Sequence, residues 1–468
     1  MARTSAVTLE AAWLEGETAV IGLARSGRAA ARLLARHGAR VYASDAGSGP
    51  ALEAAARELR AQGVQVDVGR HDLERIARAS LVVTSPGVPP GAPPLGAALA
   101  AGVSVISEVE LGLRCLPSLR YIAITGTNGK TTTTALTAHL LRGLGLHAEA
   151  AGNIGFPLCE LALSPGAVPW VALEVSSFQL HDTPSIAPEV GVLTNLSGNH
   201  LDRYENLAAY YGDKALLFRN ATAASNWVLN ADDADARALP GDAVGKRAEF
   251  SVARQADAWL DRKARQLVVL GEPLLERGAL QLVGDHNVAN ALAASLAVML
   301  ADAAHRTPQA RAQLAKGLRE FRALEHRIEP VGEWGGVTWI NDSKSTNVAS
   351  TLVALRGMAH PTVLLLGGRH KGEPYTPLAA ELQRIGRCVI AYGEAAALVT
   401  HDLEGALPVQ RMDPGADFGA VVAAARAAAS PGDVVLLSPA CSSYDMFDNY
   451  EQRGAEFKRL ARAGAGGT

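Results

Sequence analysis

One stretch of the sequence, Arg120 to Thr134, restricts the possible folds more than any other. It begins with a short apolar run, Tyr121 to Ile124, which is typical of a buried parallel strand. Gly126 and Gly129 interrupt this run, and Lys130 begins a segment with helical spacing. Glycines allow backbone N–H groups to converge on an anion, and a helix N-terminus adds partial positive charge. The stretch therefore predicts a nucleotide phosphate-binding loop.

The residue types in this loop predict individual roles. Lys130 can reach the β- and γ-phosphates of ATP, and the Thr131 hydroxyl can hold Mg²⁺. The strict pattern G-x-x-x-x-G-K-[ST] is not met, because Ile124 stands at its first glycine, so an accidental glycine-rich turn is the alternative. The residues predicted to bind ATP here are Gly126, Thr127, Asn128, Gly129, Lys130, Thr131 and Thr132.

Length and composition narrow the class of protein. A chain of 468 residues suggests about three domains, and 48% hydrophobic against 19% charged residues predicts a sizeable packed core. The net charge of −3 argues against a general nucleic-acid binder. Four scattered cysteines indicate reduced thiols, and no apolar run reaches the ~18 residues of a membrane span. No signal-peptide core opens the sequence, so we expect a cytoplasmic protein.

Lysine is rare in this chain. Of 44 Lys and Arg residues only eight are lysines, and four of the eight lie in motif-like segments, at positions 130, 214, 344 and 371. Lysine provides a compact point charge and an amine that can become neutral and react, which arginine does not. The bias favours functional roles for these four, with chance retention as the alternative.

The first third predicts a Rossmann-like βαβ unit from Thr18 to Asp45. Gly22, Ala24 and Gly27 approximate the dinucleotide fingerprint G-x-G-x-x-G, but Ala24 replaces the glycine that lets backbone approach a pyrophosphate. The pattern thus favours a domain that holds another nucleotide or none, with NAD binding as the alternative. A strand at Leu81–Thr84 is predicted to end in a rigid turn.

Two candidate metal ligands follow strands in the middle third. Glu174 lies near the end of the apolar run Trp170–Val175, where a carboxylate is costly unless it is paired or binds a metal. His200 follows the predicted strand Val190–Thr194 and is a second candidate, although a structural histidine is the alternative. Residues 246–283 predict short strands of a β subdomain or sheet edge.

Further candidates follow in the second half. Asn287 and Asn290 lie three residues apart near the start of a long apolar helix, where capping is the alternative role. The planar charge of Arg327 suits a γ-phosphate. Strands alternating with helices from Val337 onwards predict a second Rossmann-like domain.

Nearly the whole chain resembles the Mur ligases. The loop Gly126–Thr131 resembles that of the Mur ligases and of folylpolyglutamate synthetases, which are ATP-dependent amide-forming ligases. The motifs that match in order are GTNGKT, GNIG, EVSSFQL, NHLDRY, GDHNVAN, EHR, NDSKSTN, LLLGGRHK and LLSPACSSYDMFDNYEQRG. The segment Glu174–Leu180 resembles the branch of the family that adds D-glutamate.

The resemblance implies an α/β fold with three domains: a Rossmann-like UDP-substrate domain (1–108), a P-loop ATPase-like central domain with a parallel sheet (109–325), and a Rossmann-like amino-acid-binding domain (326–468). It implies that D-glutamate is joined to UDP-N-acetylmuramoyl-L-alanine through an acyl phosphate, in peptidoglycan precursor synthesis. The implied cofactors are ATP, two Mg²⁺ ions and a carbamylated Lys214, for which a surface lysine is the alternative. We expect a monomer without nucleic-acid or membrane partners.

The resemblance also assigns residues. Those assigned to catalysis are Lys130, Glu174, His200, Lys214, Arg327, Lys344 and Lys371. Those assigned to ATP outside the loop are Asn287, Asn290, Arg327 and Asp342. Those assigned to metal are Thr131, Glu174, His200 and Lys214. Those assigned to substrates are Ser26, Asp45, Gly87, Asn153, Ser176, Thr346, Lys371, Ser443 and Tyr450, the last four facing D-glutamate.

Two alternative functions remain compatible with the sequence. A sister ligase could use the same chemistry with another amino acid or with folate. A nucleotide-dependent binding or regulatory protein could hold ATP without chemistry, but it would not need Lys214 and Lys371.

Overall fold

The computed structural model describes residues 13, 15–164, 166, 170–198 and 204–463. The strands are β1 (Glu17–Ile21), β2 (Arg40–Asp45), β3 (Gln65–Val68), β4 (Leu81–Thr84), β5 (Val105–Ser107), β6 (Arg120–Thr125), β7 (Ala148–Gly152), β8 (Trp170–Glu174), β9 (Val190–Leu193), β10 (Asn226–Asn230), β11 (Lys246–Ser251), β12 (Ala258–Asp261), β13 (Gln266–Val269), β14 (Glu272–Glu276), β15 (Glu329–Trp334), β16 (Val337–Asn341), β17 (Thr362–Gly367), β18 (Gly386–Tyr392), β19 (Val409–Arg411) and β20 (Val434–Leu437).

Helices connect most of these strands. They are α1 (Arg25–Arg36), α2 (Pro50–Arg60), α3 (Leu73–Ile76), α4 (Pro93–Ala100), α5 (Glu108–Cys115), α6 (Lys130–Gly143), α7 (Leu158–Leu163), α8 (Ser177–His181), α9 (Leu207–Ala215), α10 (Ala234–Ala238), α11 (Asp285–Ala301), α12 (Pro308–Glu320), α13 (Val348–Arg356), α14 (Ala379–Ile385), α15 (Ala396–Leu403), α16 (Phe418–Ala428) and α17 (Tyr450–Ala463).

The first sheet is parallel, in the order β3-β2-β1-β4-β5. The strand order reverses between β1 and β4, which is the point where ligands bind in open α/β sheets. The apolar strands β1 and β4 pair from Thr18 to Ile21 against Leu81 to Thr84. The predicted Rossmann-like unit is therefore confirmed.

The second sheet places the strand of the phosphate-binding stretch in its interior. Its order is β14-β13-β12-β11-β10-β9-β6-β8-β7, with β6 between β9 and β8. Pairing is parallel from β7 through β12 and antiparallel for β12, β13 and β14. The short strands predicted in 246–283 thus form one edge of this sheet. Because β6 is an interior, apolar strand that pairs with β8 and β9, it has neighbours on both sides where the loop begins.

The third sheet has the order β15-β16-β20-β17-β18-β19 and is parallel except for β15, which runs antiparallel to β16. Its helices cover both faces, with Leu364 and Leu366 in one apolar cluster and Val363 and Leu365 in another. Alternating burial of this kind is expected for a strand with helices on both faces. The second Rossmann-like domain is confirmed.

The three predicted domains each correspond to one sheet. The first two sheets belong to one compact unit and the third sheet to another. The boundaries at 108/109 and 325/326 fall between sheets, after β5 and before β15, and their exact placement stays a prediction. Among the described residues, no helix is both long enough and apolar enough to span a membrane.

Glu108 is a buried carboxyl where α5 packs against α7. Its Oε1 accepts a hydrogen bond from the Cys159 backbone N–H at 2.6 Å, and its Oε2 is buried with no hydrogen-bond partner in the described part of the chain. Removal from water disfavours the ionised carboxylate. Burial therefore raises the pKa of Glu108 from 4.5 to about 7.

Stability is expected to depend on pH through this residue. Folded Glu108 holds its proton up to about pH 7 and the unfolded chain only to about 4.5, so the folded state binds the extra proton and loses stability as pH rises through that window. The loss is about 3 kcal/mol, at about 1.4 kcal/mol per pKa unit. Glu108→Gln removes the effect and should be more stable than wild type at pH 8 by about this amount.

Urea unfolding of both proteins between pH 5 and pH 8 measures this difference. The exposed Glu58 on α2 provides the matched control, and Glu58→Gln should track wild type at every pH. A difference in the free energy of unfolding between Glu108→Gln and wild type that stays constant from pH 5 to pH 8 would contradict the expectation.

Candidate active site

The loop between β6 and α6 is held from outside by the end of β9. The Thr127 N–H donates to the Asn195 carbonyl at 2.9 Å, and the Asn128 N–H donates to Asn195 Oδ1 at 2.9 Å. In return the Asn195 side chain and Thr194 Oγ1 donate to the Asn128 carbonyl, at 2.9 and 2.6 Å. These bonds fix the loop in a defined shape before any ligand binds.

Two glycines make this shape possible. Gly126 has φ +144°, and a Cβ there would lie 2.0 Å from Thr194 Oγ1. Gly129 has φ +81°, and a Cβ there would lie 2.4 Å from Asn290 Oδ1. Both the backbone angle and the space therefore exclude a side chain. Since Asn290 also accepts from Thr133 Oγ1 at 3.2 Å, it packs directly against the phosphate loop.

Two lysines share one backbone acceptor in this loop. Lys130 Nζ donates to the carbonyls of Gly126 (2.9 Å) and Thr127 (2.8 Å). Lys214 Nζ donates to the same Gly126 carbonyl at 2.8 Å and lies 4.8 Å from the Tyr210 ring centroid. The arrangement places two amine groups where phosphates are predicted to bind.

Lys214 is buried, with 1% of its surface exposed. Burial, and then the nearby charge of Lys130, lower the pKa of Lys214 well below its ordinary value. An amine with a lowered pKa spends a larger fraction of its time neutral and able to react. A surface role for this lysine is thereby excluded.

Glu174, at the end of β8, is also buried. Its Oε1 accepts from Asn153 Nδ2 at 2.9 Å, while its Oε2 has no hydrogen-bond partner within the described ranges. The neighbouring negative charge of Glu174 acts on Lys214, which places the two groups near each other. A buried carboxylate oxygen without a partner suits a hard cation such as Mg²⁺.

A cavity of about 730 Å³ lies at the carboxyl ends of the strands of the first sheet. Four residues predicted to bind substrate contribute to its wall, namely Ser26, Asp45, Gly87 and Asn153. Asp45 accepts from the backbone N–H groups of Leu23 and Gly47, both at 2.8 Å. The cavity therefore reaches from the first βα turn to the amide that holds Glu174.

In the third sheet, the loops that follow the neighbouring strands β16 and β20 carry most of the residues predicted for this part of the chain. Asp342 is buried just after β16; its Oδ2 accepts from Ser438 Oγ at 2.8 Å and its Oδ1 from the Ile328 N–H at 3.2 Å. Burial raises the pKa of Asp342 to about 6, and the charge of Arg327 opposes this rise. The structure thus brings Arg327 and Asp342 together.

The loops after β17 and β20 pair with each other. The backbones of Arg369 and Ser442 exchange hydrogen bonds of 2.9 and 3.2 Å, and Lys371 Nζ donates to Thr346 Oγ1 at 3.1 Å. Lys371 and Thr346 are therefore in contact, and their assignment to the amino-acid site stays a prediction. Ser443, the next residue but one after the buried Cys441, is buried in the same loop.

The remaining candidates have local roles in the structure. Lys344 Nζ lies 5.3 Å from the Tyr450 ring centroid. Ser176 caps α8, where it forms a capping box with Gln179. The Asn287 side chain donates to the Val283 carbonyl at 2.8 Å. Thr131 and Thr132 are buried in the first turn of α6, and the predicted ligand His200 lies outside the described residues.

Several supporting residues were missed by the sequence reasoning. Asn195 holds the phosphate loop, Ser438 holds Asp342, and Arg453 bridges two loops of the third sheet. A signal existed for both Ser438 and Arg453, because each lies within the matched motif LLSPACSSYDMFDNYEQRG. The motif match assigned no role to either residue.

Comparison with known proteins assigns a family to this geometry. The Mur ligase middle domain matches residues 124–298, the Mur ligase MurD-like N-terminal domain matches 16–107, and the Mur ligase glutamate ligase domain matches 326–441. The UDP-N-acetylmuramoylalanine–D-glutamate ligase of Myxococcus xanthus is 41% identical over 454 residues, covering 95% of this chain and 97% of that protein. The enzyme of the same name from Chromobacterium violaceum is also 41% identical, covering 94% and 95%.

Solved structures agree at the level of the fold. A pseudomurein peptide ligase type C from Methanothermus fervidus has a TM-score of 0.59 at 19% identity, covering 95% of this chain and all of that one. A murein peptide ligase from Psychrobacter arcticus has a TM-score of 0.55 at 18% identity, covering 95% and 98%. With a phosphate loop, a nucleotide-sized cavity and matches along nearly its whole length, the chain belongs to the Mur ligase family.

Proposed function

We propose that the chain is an ATP-dependent ligase that joins D-glutamate to UDP-N-acetylmuramoyl-L-alanine, a step in peptidoglycan precursor synthesis. The relatives named for this activity cover nearly the whole chain at about 40% identity. The observation that carries the proposal is Asn153, which lines the cavity of the first sheet and donates to Glu174. The charge of Glu174 acts on Lys214, whose Nζ donates to the Gly126 carbonyl of the phosphate loop. A substrate in that cavity therefore reaches the place where ATP phosphates are expected.

The reaction has two steps that balance without any further reactant. The terminal carboxylate of the UDP-linked substrate attacks the γ-phosphate of ATP, and ADP leaves, which gives an acyl phosphate. The amine of D-glutamate then attacks the acyl carbon, and phosphate leaves with formation of the amide and release of a proton. Two anions must meet in the first step, so positive charge is required. Lys130 supplies it by exchanging its carbonyl acceptors for phosphate oxygens.

The buried groups around the loop fit a Mg²⁺ ion. Glu174 Oε2 has no hydrogen-bond partner in the described part of the chain. Thr131 lies in the first turn of α6, directly after the loop lysine, where the hydroxyl of other phosphate loops binds Mg²⁺. Bound Mg²⁺ would neutralise phosphate charge. Thr131 and Glu174 would hold it, with His200 as a predicted third ligand and a second ion as the resemblance implies.

Lys214 in its unmodified form does not suit a cation site, because its ammonium form would repel the metal. A neutral amine can instead add CO₂ and release a proton, which gives a carbamate whose two oxygens share one negative charge. The burial that lowers the pKa of Lys214 supports this modification. We therefore propose that Lys214 is carbamylated in the active enzyme.

The amino-acid site is proposed at the ends of β16, β17 and β20. Lys371 and Thr346 are in contact, and Lys371 would bind a carboxylate of D-glutamate and so orient the amine for attack. Ser443 and Tyr450 complete the proposed site. The assignments of Arg327, Asp342, Asn287 and Asn290 to ATP, and of Lys344 to catalysis, stay predictions.

Phosphate release from MgATP tests the proposal. The assay contains UDP-N-acetylmuramoyl-L-alanine with D-glutamate, L-glutamate, L-lysine or meso-diaminopimelate in turn. Release with D-glutamate alone is expected. Release with another amino acid would transfer the protein to a sister branch. ATP binding without release in any mixture would favour a nucleotide-dependent binding protein and overturn the proposed activity.

A further inference from the structure

Arg453 is a buried arginine of α17, with 1% of its surface exposed. It makes four hydrogen bonds, all to neutral acceptors. Nε donates to Ser343 Oγ at 3.0 Å and Nη2 to the Ser343 carbonyl at 2.8 Å, while Nη1 and Nη2 both donate to the Cys441 carbonyl at 3.2 Å. A guanidinium is among the groups least often buried without a carboxylate partner.

These bonds join two loops that follow adjacent strands. Ser343 lies between Asp342 and Lys344, just after β16, and Cys441 lies in the loop after β20. The strands β16 and β20 are neighbours in the third sheet and pair in parallel, so both loops leave the same edge. One planar guanidinium therefore sets the distance between them, because its donors point in fixed directions.

A third loop is shaped around the same group. Gly368 follows β17 and has φ +128°, and a Cβ there would lie 3.2 Å from Arg453 Nη1. Ser343 Oγ also donates to the Tyr450 carbonyl at 2.8 Å, which ties the start of α17 to the same cluster. Arg453 thus contacts the backbone of two of these loops and approaches the third.

No carboxylate forms an ion pair with Arg453 among the described residues. A guanidinium carries a full positive charge, so this charge is buried at the edge where a dicarboxylate amino acid is proposed to bind. An unpaired buried charge costs folding free energy. Its cost is offset when the charge fixes a site for an anionic ligand.

We propose that Arg453 is a positioning residue for the amino-acid substrate: it fixes the Cys441–Ser443 loop relative to the Ser343 loop, and its charge favours an anion at this edge. This inference rests on the proposed function and adds to it a residue that determines affinity for D-glutamate. Arg453 acts through Ser443 and its loop and does not itself contact the substrate.

Arg453→Lys and Arg453→Met test the proposal. A lysine ammonium has three donors on one atom and lacks the planar fork that makes all four bonds to the two loops. The KM for D-glutamate should therefore rise roughly 10- to 100-fold in Arg453→Lys and more in Arg453→Met. The KM for the UDP-linked substrate should stay within about twofold, because the proposed cavity for that substrate lies in the other compact unit. Both Arg453 variants should still form the acyl phosphate in the absence of D-glutamate, and hydroxylamine trapping of the acyl phosphate measures this.

Two further variants separate positioning from loss of stability. Phe457 lies one turn further along α17, is fully buried and packs against Trp339, so Phe457→Leu loosens the same helix without touching either loop. It should lower the melting temperature while leaving the KM for D-glutamate unchanged. If Arg453→Lys does not fold, Ser343→Ala removes one acceptor and should raise this KM about 2- to 10-fold.

The inference is overturned if the Arg453 or Ser343 variants leave the KM for D-glutamate unchanged. It is also overturned if this KM and that of the UDP-linked substrate rise equally, or if Phe457→Leu raises the former as much. The activity of wild type in the same assay separates failure of the positioning role from failure of the proposed function. Activity of wild type without selective effects in the variants overturns only the positioning role, whereas inactivity of wild type with D-glutamate overturns the proposed function as well.

Discussion

Lys130→Met is expected to lower kcat roughly 100- to 1,000-fold at saturating ATP. A loss of this size is typical when an enzyme loses one preorganised hydrogen-bond donor to the negative charge that develops in the transition state. The Lys130 ammonium is held 2.9 and 2.8 Å from two loop carbonyls, so its position is set before ATP arrives. Methionine keeps the length of the side chain and removes the charge. Phosphate release at steady state measures kcat, and calorimetry measures ATP affinity separately.

The matched control for this variant is Lys246→Met. Lys246 is exposed at the start of β11 in the same sheet, so its loss should change kcat by less than about twofold, as is usual for surface substitutions. A Lys130→Met enzyme with kcat within tenfold of wild type would contradict a role for this lysine in phosphoryl transfer.

Lys214→Arg is expected to reduce kcat at least ~100-fold, because arginine stays protonated and cannot form a carbamate. The change is conservative in charge and nearly so in size, so a large loss would point to amine chemistry. Wild type prepared without CO₂ should gain activity on addition of bicarbonate, whereas Lys214→Arg should not respond. With ¹³C-bicarbonate, wild type should show a carbamate resonance by NMR.

Lys246→Arg controls for a general effect of replacing lysine and should retain both the bicarbonate response and the resonance. The carbamate proposal fails if the resonance is missing from active wild type. It also fails if Lys214→Arg keeps its activity, because the positive charge of a buried arginine would then be sufficient for catalysis.

Sequence reasoning was most successful where a local pattern determines the structure. The strand predicted at Leu81–Thr84 matches the observed bounds, because apolar runs bounded by turn residues have few alternatives. The phosphate loop was predicted for the same reason: its glycines, lysine and hydroxyls are contiguous. Alternating strand and helix signals predicted the second Rossmann-like domain, and the α/β fold with three domains was implied by the resemblance to the Mur ligases.

What could not be predicted depends on distant segments meeting. Nothing in the sequence near Asn195 shows that its amide bonds Asn128, 67 residues away. Ser343 and Arg453 are 110 residues apart, and their contact arises only when β16 and β20 pair. Burial of Lys214 is likewise a property of packing, since the helical pattern around it also suits a surface lysine.

The Asn153 amide would link the proposed UDP-linked substrate and the proposed cation in one thermodynamic cycle. It forms part of the wall of the cavity of the first sheet and donates to Glu174 Oε1 at 2.9 Å. Any occupant that strengthens or weakens this bond changes the affinity of Glu174 for a cation. By reciprocity, the cation changes the affinity for that occupant by the same factor. The order in which the two ligands are added can therefore alter the path but not the final occupancy, and a measured preference for one order would report rates rather than affinities.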